Sequence, residues 1–176
     1  MKLMPARYGL CCGVDEAGRG ALAGPVVAAA VILPRGWYPE GLDDSKKLSR
    51  LKRLNLFKVM MERVKFGIGV ASPNEVDSIN VQMASLLAMK RSILNLTPLP
   101  NSALIDGIYV PKKMKIYSRA IVAGDSLVPA IAAASIFAKV YRDDFMNYLS
   151  KVHPFYGWDK NAGYGTKHHL MALKTL

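Results

Sequence analysis

The stretch LCCGVDEAGRGALAGPVVAAAVIL, residues 10–33, contains two apolar runs separated by a glycine-rich break. The first run predicts a strand over residues 9–15 that ends at two adjacent carboxylates, Asp15 and Glu16. The second run, residues 25–33, is rich in valine, isoleucine and alanine and predicts a buried strand. Two strands this close together predict that a β-sheet forms the centre of the fold.

Strands and helices follow one another through the rest of the chain. Apolar runs and helical spacing predict strands over residues 66–71, 102–106 and 119–123, a short helix from Ser72-Pro73, and longer helices over residues 48–64, 81–96, 129–152 and 167–176. Asp44-Ser45 is predicted to cap the first long helix and Thr166 the last, and an aromatic, glycine-rich loop is predicted over residues 153–165. This order predicts an α/β fold: a central mixed sheet of about five strands flanked by helices, with a helical C-terminal part.

The composition excludes several classes of protein. Hydrophobic residues make up 51% of the 176, too many for a disordered chain. The longest apolar run, residues 21–33, is interrupted by a Gly-Pro pair and is too short to span a bilayer, and residues 1–5 lack the apolar core of a secretory signal. Cys11 and Cys12 are neighbours and cannot staple a disulfide scaffold. We therefore expect one cytoplasmic domain over residues 1–176, monomeric and without a membrane partner.

Positive charge dominates the sequence, with 24 Lys and Arg against 13 Asp and Glu and a net charge of +11. Eight of the cations lie within residues 46–65, where Glu62 is the only acid. A second cluster contains Lys112, Lys113, Lys115 and Arg119. One such run would fit a solvated helix face, but two runs with almost no compensating acid predict a polyanionic partner such as nucleic acid.

Four carboxylates follow apolar, strand-like runs: Asp15, Glu16, Asp106 and Asp125. Their charges repel one another at strand ends unless a cation, either a Lys or Arg side chain or a divalent metal ion, neutralises them. If they converge at one edge of the sheet, their oxygens are suitable ligands for Mg²⁺ or Mn²⁺. Together with the basic clusters, they predict two-metal hydrolysis of phosphodiester bonds. Two alternatives remain: Asp106-Gly107 is typical of a hairpin turn, and Asp125 fits the start of a helix.

The break Gly18-Arg19-Gly20 lies directly after the first pair of acids. Glycines allow backbone amides to approach a phosphate or sugar closely. The spacing of Gly18, Gly20 and Gly24 does not match a dinucleotide-binding fingerprint, and the sequence contains no P-loop.

Five blocks of this sequence together resemble ribonuclease HII, the type 2 ribonuclease H. They are GVDEAGRG with LAGPVV at residues 13–27, DSKKLS at 44–49, LIDG at 104–107, GDS with IAAASI and AKV at 124–140, and GYGT at 163–166 followed by His169. The matches run in order from about residue 13 to residue 172.

This resemblance implies a ribonuclease H-like fold and an endonuclease with two divalent ions, Mg²⁺ or Mn²⁺, during catalysis. The substrates it implies are RNA–DNA hybrids and duplex DNA with single embedded ribonucleotides, cut on the 5′ side to leave 3′-hydroxyl and 5′-phosphate ends. It also implies a part in ribonucleotide excision repair. The sequence reveals no sliding-clamp partner.

The resemblance also implies roles for individual residues. The catalytic, metal-binding carboxylates would be Asp15, Glu16, Asp106 and Asp125. The substrate would be bound by Gly18, Arg19 and Gly20 at the RNA–DNA junction, by Lys46 and Lys47 at backbone phosphates, and by Tyr164 stacked on the next deoxyribose. Asp143 and His169 would support the site, and residues from about 153 to 176 would form a C-terminal substrate-binding part.

Two features depart from the family pattern, and two other functions compete. Asn161-Ala162 precede Gly163 where relatives often have a lysine, and the chain is expected to hold the catalytic core with little of a basic C-terminal segment. A ribonuclease HIII-like hybrid nuclease would share the four acids but differ in the Gly18-Arg19-Gly20 loop. A non-catalytic nucleic-acid-binding module would need the basic surface but none of the acids.

Overall fold

The computed structural model describes residues 9–176; residues 1–5, considered above as a possible signal, lie outside this part. Five strands are present: β1 (Cys11–Ala17), β2 (Val26–Ile32), β3 (Lys65–Ala71), β4 (Ser102–Asp106) and β5 (Tyr117–Ile121). The helices are α1 (Arg50–Met61), α2 (Pro73–Leu94), α3 (Gly124–Leu127), α4 (Pro129–Val152), α5 (Trp158–Asn161) and α6 (Lys167–Thr175), with a 3₁₀ turn at Pro154–Tyr156.

The strands form one mixed sheet in the order β3-β2-β1-β4-β5. β1, β2 and β3 pair antiparallel, whereas β4 lies parallel to β1, and β5 lies parallel to β4. The carboxyl ends of β1 and β4 therefore meet at the same edge of the sheet. The predicted mixed α/β sheet is confirmed, and the hairpin alternative for Asp106-Gly107 is wrong because β4 and β5 are parallel.

Helices cover both faces of this sheet. α4 packs on one face, where Phe137 shares a buried cluster with Val31 of β2. α2 packs on the other face, where Ala88 shares a second cluster with Val14 of β1. Because successive side chains of a strand point to opposite faces, the residue after Val14, which is Asp15, points to the α4 side.

The structure corrects several local predictions. Helix α1 begins at Arg50 with Ser49 as its cap, not Asp44-Ser45, because the Ser49 hydroxyl accepts a hydrogen bond from the Lys52 amide. The short helix predicted from Ser72-Pro73 and the helix predicted over residues 81–96 are confirmed as two helical segments of α2, which the non-helical Asn80 (φ 66°, ψ 161°) separates. The loop predicted over residues 153–165 contains the 3₁₀ turn and α5. The Thr166 cap of α6 is confirmed.

Residues 9–176 contain no helix that is both long and apolar enough to cross a membrane.

Candidate active site

Three of the four predicted carboxylates meet at the carboxyl-terminal edge of the sheet. The register pairs Val14 of β1 with Ile105 of β4, so the next residues along, Asp15 and Asp106, lie side by side. Asp125 reaches them from helix α3, not from a strand end as predicted, because β5 already stops at Ile121. Carboxylate oxygens of Asp15, Asp106 and Asp125 all lie within 4.8 Å of one another.

A hydrogen bond fixes the third acid relative to the strands. The amide of Gly124, next to Asp125, donates to Oδ1 of Asp106 over 2.7 Å. This bond ties the start of α3 to the end of β4. The turn before it is tight, since Ala123 has a left-handed backbone (φ 52°). The bond therefore positions Asp125 relative to Asp106.

Glu16 lies on the other face of β1 and is not part of this three-acid cluster. It points to the α2 side, where it lines a cleft of about 150 Å³ together with Arg19, Asp106, Tyr109 and others. A guanidinium nitrogen of Arg19 lies 3.9 Å from its carboxylate. The neighbouring residues Asp15 and Glu16 thus place their carboxylates on opposite faces of the sheet at the same edge.

The acids are electrostatically strained without a cation. Burial, and then the charges of Glu16 and Asp106, hold the pKa of Asp15 well above its usual range. Burial and the charge of Asp106 also raise the pKa of Asp125. The pKa of Glu16 is raised by burial, although the charge of Arg19 opposes the shift. Like charges this close repel in the absence of a counterion. The cluster therefore favours the binding of a cation.

Lys46 and Lys47 supply part of that charge. Nζ of Lys46 lies 3.8 Å from Asp125, and although burial lowers the pKa of this lysine, the surrounding carboxylates raise it overall. Lys47 contacts Ser126, the neighbour of Asp125, over 3.2 Å. Both lysines are exposed. By contrast, Lys65 of the same basic run pairs with Ile32 at the opposite end of the sheet.

The donor set fits hard divalent cations. Asp15, Asp106 and Asp125 offer only carboxylate oxygens, with Glu16 at the margin, and no sulfur or imidazole ligand joins the cluster. Oxygen donors of this kind suit Mg²⁺ and Mn²⁺ and do not favour zinc. The exposed Lys46 ammonium cannot alone neutralise three carboxylates, two of which, Asp15 and Asp125, are buried.

Gly18 and Gly20, which flank Arg19, differ in the space around them. Gly18 has φ +101°, and a Cβ there would lie 2.2 Å from Nε of Arg142 and 2.6 Å from the Pro25 carbonyl. A Cβ at Gly20 would meet nothing within 4 Å. Gly18 is thus required by the packing of the protein, whereas Gly20 leaves open space beside the acids. Arg19, between them, hydrogen-bonds to Gln82 of α2.

Arg142, which the sequence analysis did not single out, organises the loops around the site. It is fully buried and donates to three backbone carbonyls, those of Pro25 (2.9 Å), Ala23 (3.0 Å) and Ala162 (2.8 Å). One side chain thus holds together the loop before β2 and the loop before α6. Arg142 stands among other charged residues of α4, such as Lys139 and Asp143, so the sequence carries no signal of such a role.

Tyr164 stands over this arginine. The guanidinium of Arg142 lies 5.2 Å from the Tyr164 ring centroid, and Nζ of Lys139 lies 5.0 Å from it. Asp143 holds Lys139 through an ion pair of 2.7 Å. The structure thus places Asp143 behind the cations that flank Tyr164, not among the acids.

His169 is completely buried below the same loop. Trp158 donates its indole N–H to Nε2 of His169 over 3.1 Å, and Nδ1 lies 3.0 Å from the Tyr164 carbonyl. Both ring nitrogens are therefore occupied inside the protein. His169 contacts the main chain of Tyr164 and lies in no direct contact with the acids.

Comparison with known proteins matches this architecture to ribonucleases H. The ribonuclease H2 of Pyrococcus horikoshii superposes with a TM-score of 0.74 at 24% identity, over 91% of this chain and 82% of that one. The ribonuclease HII of Archaeoglobus fulgidus, solved in complex with PCNA, gives a TM-score of 0.68 at 25% identity, over 94% of this chain and 87% of that one. The fold is thus of the ribonuclease H-like class.

Sequence comparison narrows the class. The model of the family "Ribonuclease HII" matches residues 12–175. The ribonuclease HII of Parvibaculum lavamentivorans is 51% identical over 172 residues, which are 98% of this chain and 63% of that protein. That of Cereibacter sphaeroides is 54% identical over 164 residues, 93% of this chain and 77% of that protein. The chain belongs to the ribonuclease HII family, a family of metal-dependent endoribonucleases, and it spans less than two thirds of the length of the first of these relatives.

Proposed function

We propose that this protein is an endonuclease that hydrolyses the RNA strand of RNA–DNA hybrids and cuts duplex DNA on the 5′ side of a single embedded ribonucleotide. The products are 3′-hydroxyl and 5′-phosphate ends, and the cut opens ribonucleotide excision repair. The observation that carries the proposal is the cluster of Asp15, Asp106 and Asp125, whose oxygens lie within 4.8 Å of one another at an open sheet edge. Membership of the ribonuclease HII family supports the choice of substrate.

The chemistry is assigned to the acids. Asp15, Asp106 and Asp125 hold the divalent ions, with Glu16 on the other side of the strand edge. When bound, Mg²⁺ or Mn²⁺ activates a water and neutralises charge on the phosphate during in-line displacement. The raised pKa of Asp15, caused mainly by burial and then by the charges of Glu16 and Asp106, supports a cation at this site. Lys46, 3.8 Å from Asp125, adds positive charge where the phosphate arrives.

Recognition of the ribonucleotide is assigned to the loops that Arg142 holds together. Open space at Gly20 lets the backbone approach a sugar–phosphate closely, and the 2′-hydroxyl is the group that distinguishes RNA from DNA. Tyr164, flanked by Lys139 and Arg142, stacks on the deoxyribose that follows. Lys47 and Lys46 bind backbone phosphates.

The C-terminal part is assigned to substrate binding through its aromatic core. Trp158 stacks on Tyr156 with ring centroids 4.9 Å apart and donates to His169. We infer that these contacts hold residues 153–176 together as a platform that carries Tyr164. Asn161 closes the same loop: its amide nitrogen donates to the Tyr156 carbonyl, and its amide oxygen accepts from the Gly163 amide.

The test is a cleavage assay with three duplexes of one sequence: all DNA, DNA with one ribonucleotide, and an RNA–DNA hybrid. The protein is expected to cut the second and third with Mg²⁺ or Mn²⁺, to cut none in EDTA, and to leave the all-DNA duplex intact. Mapping the ends identifies the cut on the 5′ side of the ribonucleotide. Binding of all three duplexes without any cleavage in either metal would instead identify a non-catalytic nucleic-acid-binding module.

A further inference from the structure

The connection between β4 and β5, residues 107–116, carries a basic surface that the proposed chemistry does not use. No acid occurs between Asp106 and Asp125. Within residues 9–176, none of the ion pairs includes a lysine of this connection. Its three lysines are all exposed: Lys112, Lys113 and Lys115. Their charge is therefore not balanced within the described part of the chain.

The backbone of this connection is anchored although its lysines are exposed. Pro111 is buried, and Met114 and Ile116 pack against the cluster between the sheet and α2. Over residues 111–116 the apolar side chains are thus buried or half-buried and the lysines are exposed, whereas the apolar residues 108–110 are themselves exposed. Lysines on an anchored backbone lose less conformational freedom when they bind than lysines on a free loop.

The connection also leads away from the catalytic edge. It starts beside Asp106, where Gly107 and Tyr109 line the cleft that contains Glu16 and Arg19. It ends at Tyr117, which pairs with Ser102 at the opposite end of β4. Because β5 is parallel to β4, the connection crosses the length of a five-residue strand, roughly 15 Å. On a duplex this distance corresponds to several base pairs from the cut.

We propose that Lys112, Lys113 and Lys115 form a second phosphate-binding track that holds the duplex several base pairs from the cut. This inference rests on the proposed function, since it needs a duplex bound at the acids. The track lies on the α2 side, whereas Lys46 and Lys47 lie with Asp125 and Ser126. The duplex is thus gripped on two sides of the catalytic edge, and the contacts are to phosphates without reading base sequence.

The test compares two double variants that each remove two positive charges. Lys112→Ala/Lys115→Ala removes the track but leaves Lys113, whose positive φ of 58° complicates substitution. Arg35→Ala/Lys65→Ala is the matched control, because Lys65 lies opposite Ile32 at the far end of the sheet and Arg35 follows that strand. Binding of a 30-base-pair RNA–DNA hybrid is measured in EDTA between 50 and 200 mM salt. Cleavage of the same hybrid is measured with Mg²⁺.

The track variant is expected to show a shallower salt dependence. Each lost phosphate contact reduces the slope of log affinity against log salt by about 0.9, so two contacts reduce it by about 1.8. Between 50 and 200 mM salt the variant should therefore lose roughly tenfold less affinity than the wild type. KM should rise with kcat unchanged, and a hybrid of about eight base pairs should show no difference. The control should match the wild type throughout.

Two results separate the two proposals. Equal salt slopes for the track variant and the control would overturn the track. If the wild type still cleaves the hybrid, that result leaves the proposed function standing. Failure of the wild type to cleave any hybrid would overturn the proposed function, and a slope change in the EDTA binding experiment would still support the track.

Discussion

Nδ1 of His169 lies 3.0 Å from the main-chain carbonyl of Tyr164, and the geometry assigns a donated hydrogen bond. The indole N–H of Trp158 can only donate, so Nε2 of His169 must accept it and Nδ1 carries the proton. A buried histidine with both nitrogens occupied has none left for a substrate. We therefore propose that His169 positions Tyr164 and does not contact substrate.

Replacing His169 by alanine should destabilise the protein and weaken ribonucleotide recognition. The change leaves a cavity and an unpaired indole donor, which together cost about 3 kcal/mol, or roughly 6 to 12 °C in Tm. Below the lowered Tm, cleavage beside a single ribonucleotide should fall more than cleavage of a long hybrid. Thermal unfolding and both assays check this. His168→Ala, an exposed neighbour, is the control and should change stability by less than about 0.5 kcal/mol; equal effects of the two variants would contradict the positioning role.

The two glycines beside Arg19 should respond differently to alanine. Gly18→Ala places a methyl group against Arg142 at a positive φ and should cost about 2 to 4 kcal/mol of stability. Gly20→Ala has open space and should leave Tm unchanged. It should nevertheless lower cleavage by roughly tenfold or more, because the methyl group keeps the substrate at a distance. Unfolding curves and cleavage rates of both variants test this prediction. Full activity in Gly20→Ala would contradict a contact between the Gly20 backbone and the substrate.

Arg19 and Tyr164 should matter most at a single ribonucleotide. Arg19→Ala or Tyr164→Ala should reduce cutting there by roughly tenfold, the loss expected for one stacking contact. Cutting of long hybrid, which offers many overlapping sites, should fall less. The ratio of the two kcat/KM values is the measurement, with Tyr38→Ala, a half-exposed tyrosine, as the control. An equal loss on both substrates would remove the junction-sensing role from the residue concerned.

Much of this fold was predictable because its strands and long helices carry strong local patterns. The valine and alanine run of β2 and the apolar spacing of α4 predicted their elements to within a residue. Asp15 and Asp106 could be placed at strand ends because each follows an apolar run. The position of Asp125 was less exact, since a left-handed Ala123 starts a short helix where the apolar run predicted a continuing strand.

What the sequence could not predict depends on contacts between distant residues. Arg142 binds carbonyls more than a hundred residues earlier in the chain, and no local pattern encodes such partners. Strand alternation predicts that Glu16 points to the opposite face from Asp15. The cleft that Glu16 lines together with α2 could not be predicted, because it depends on how the helix packs. Ser49 caps the helix in place of Asp44-Ser45 because residues 44–47 form a turn of their own, in which Asp44 accepts hydrogen bonds from the amides of Lys46 and Lys47.

The acidic cluster should make the metal-free protein less stable as pH rises. Burial and neighbouring carboxylates raise the pKa of Asp15 in the folded state, so the folded protein binds this proton more tightly than the unfolded chain. Stability from this group is complete below the ordinary carboxyl pKa of about 4 and is lost as pH rises through the raised value. In EDTA at pH 7.5, Asp15→Asn should therefore be more stable than wild type by roughly 1 to 2 kcal/mol.

The measurement is thermal unfolding of both proteins at several pH values with EDTA or Mg²⁺. The difference between them should vanish as pH falls toward about 4. Adding Mg²⁺ should stabilise the wild type more than Asp15→Asn, because the variant binds the ion less well. A wild type more stable than the variant in EDTA at pH 7.5 would contradict the electrostatic strain assigned to the cluster.

The most direct test of the account is cleavage and binding by Asp15→Asn on a duplex with one embedded ribonucleotide. The substitution preserves size and can keep the 2.7 Å hydrogen bond from the Glu16 amide, but it removes one ligand charge. The account predicts that Mg²⁺-dependent cleavage falls by roughly a thousandfold or more while affinity for the duplex in EDTA stays within about threefold of wild type, because the basic surface that binds phosphates is unchanged. Mg²⁺-dependent cleavage at the wild-type rate in Asp15→Asn would contradict it.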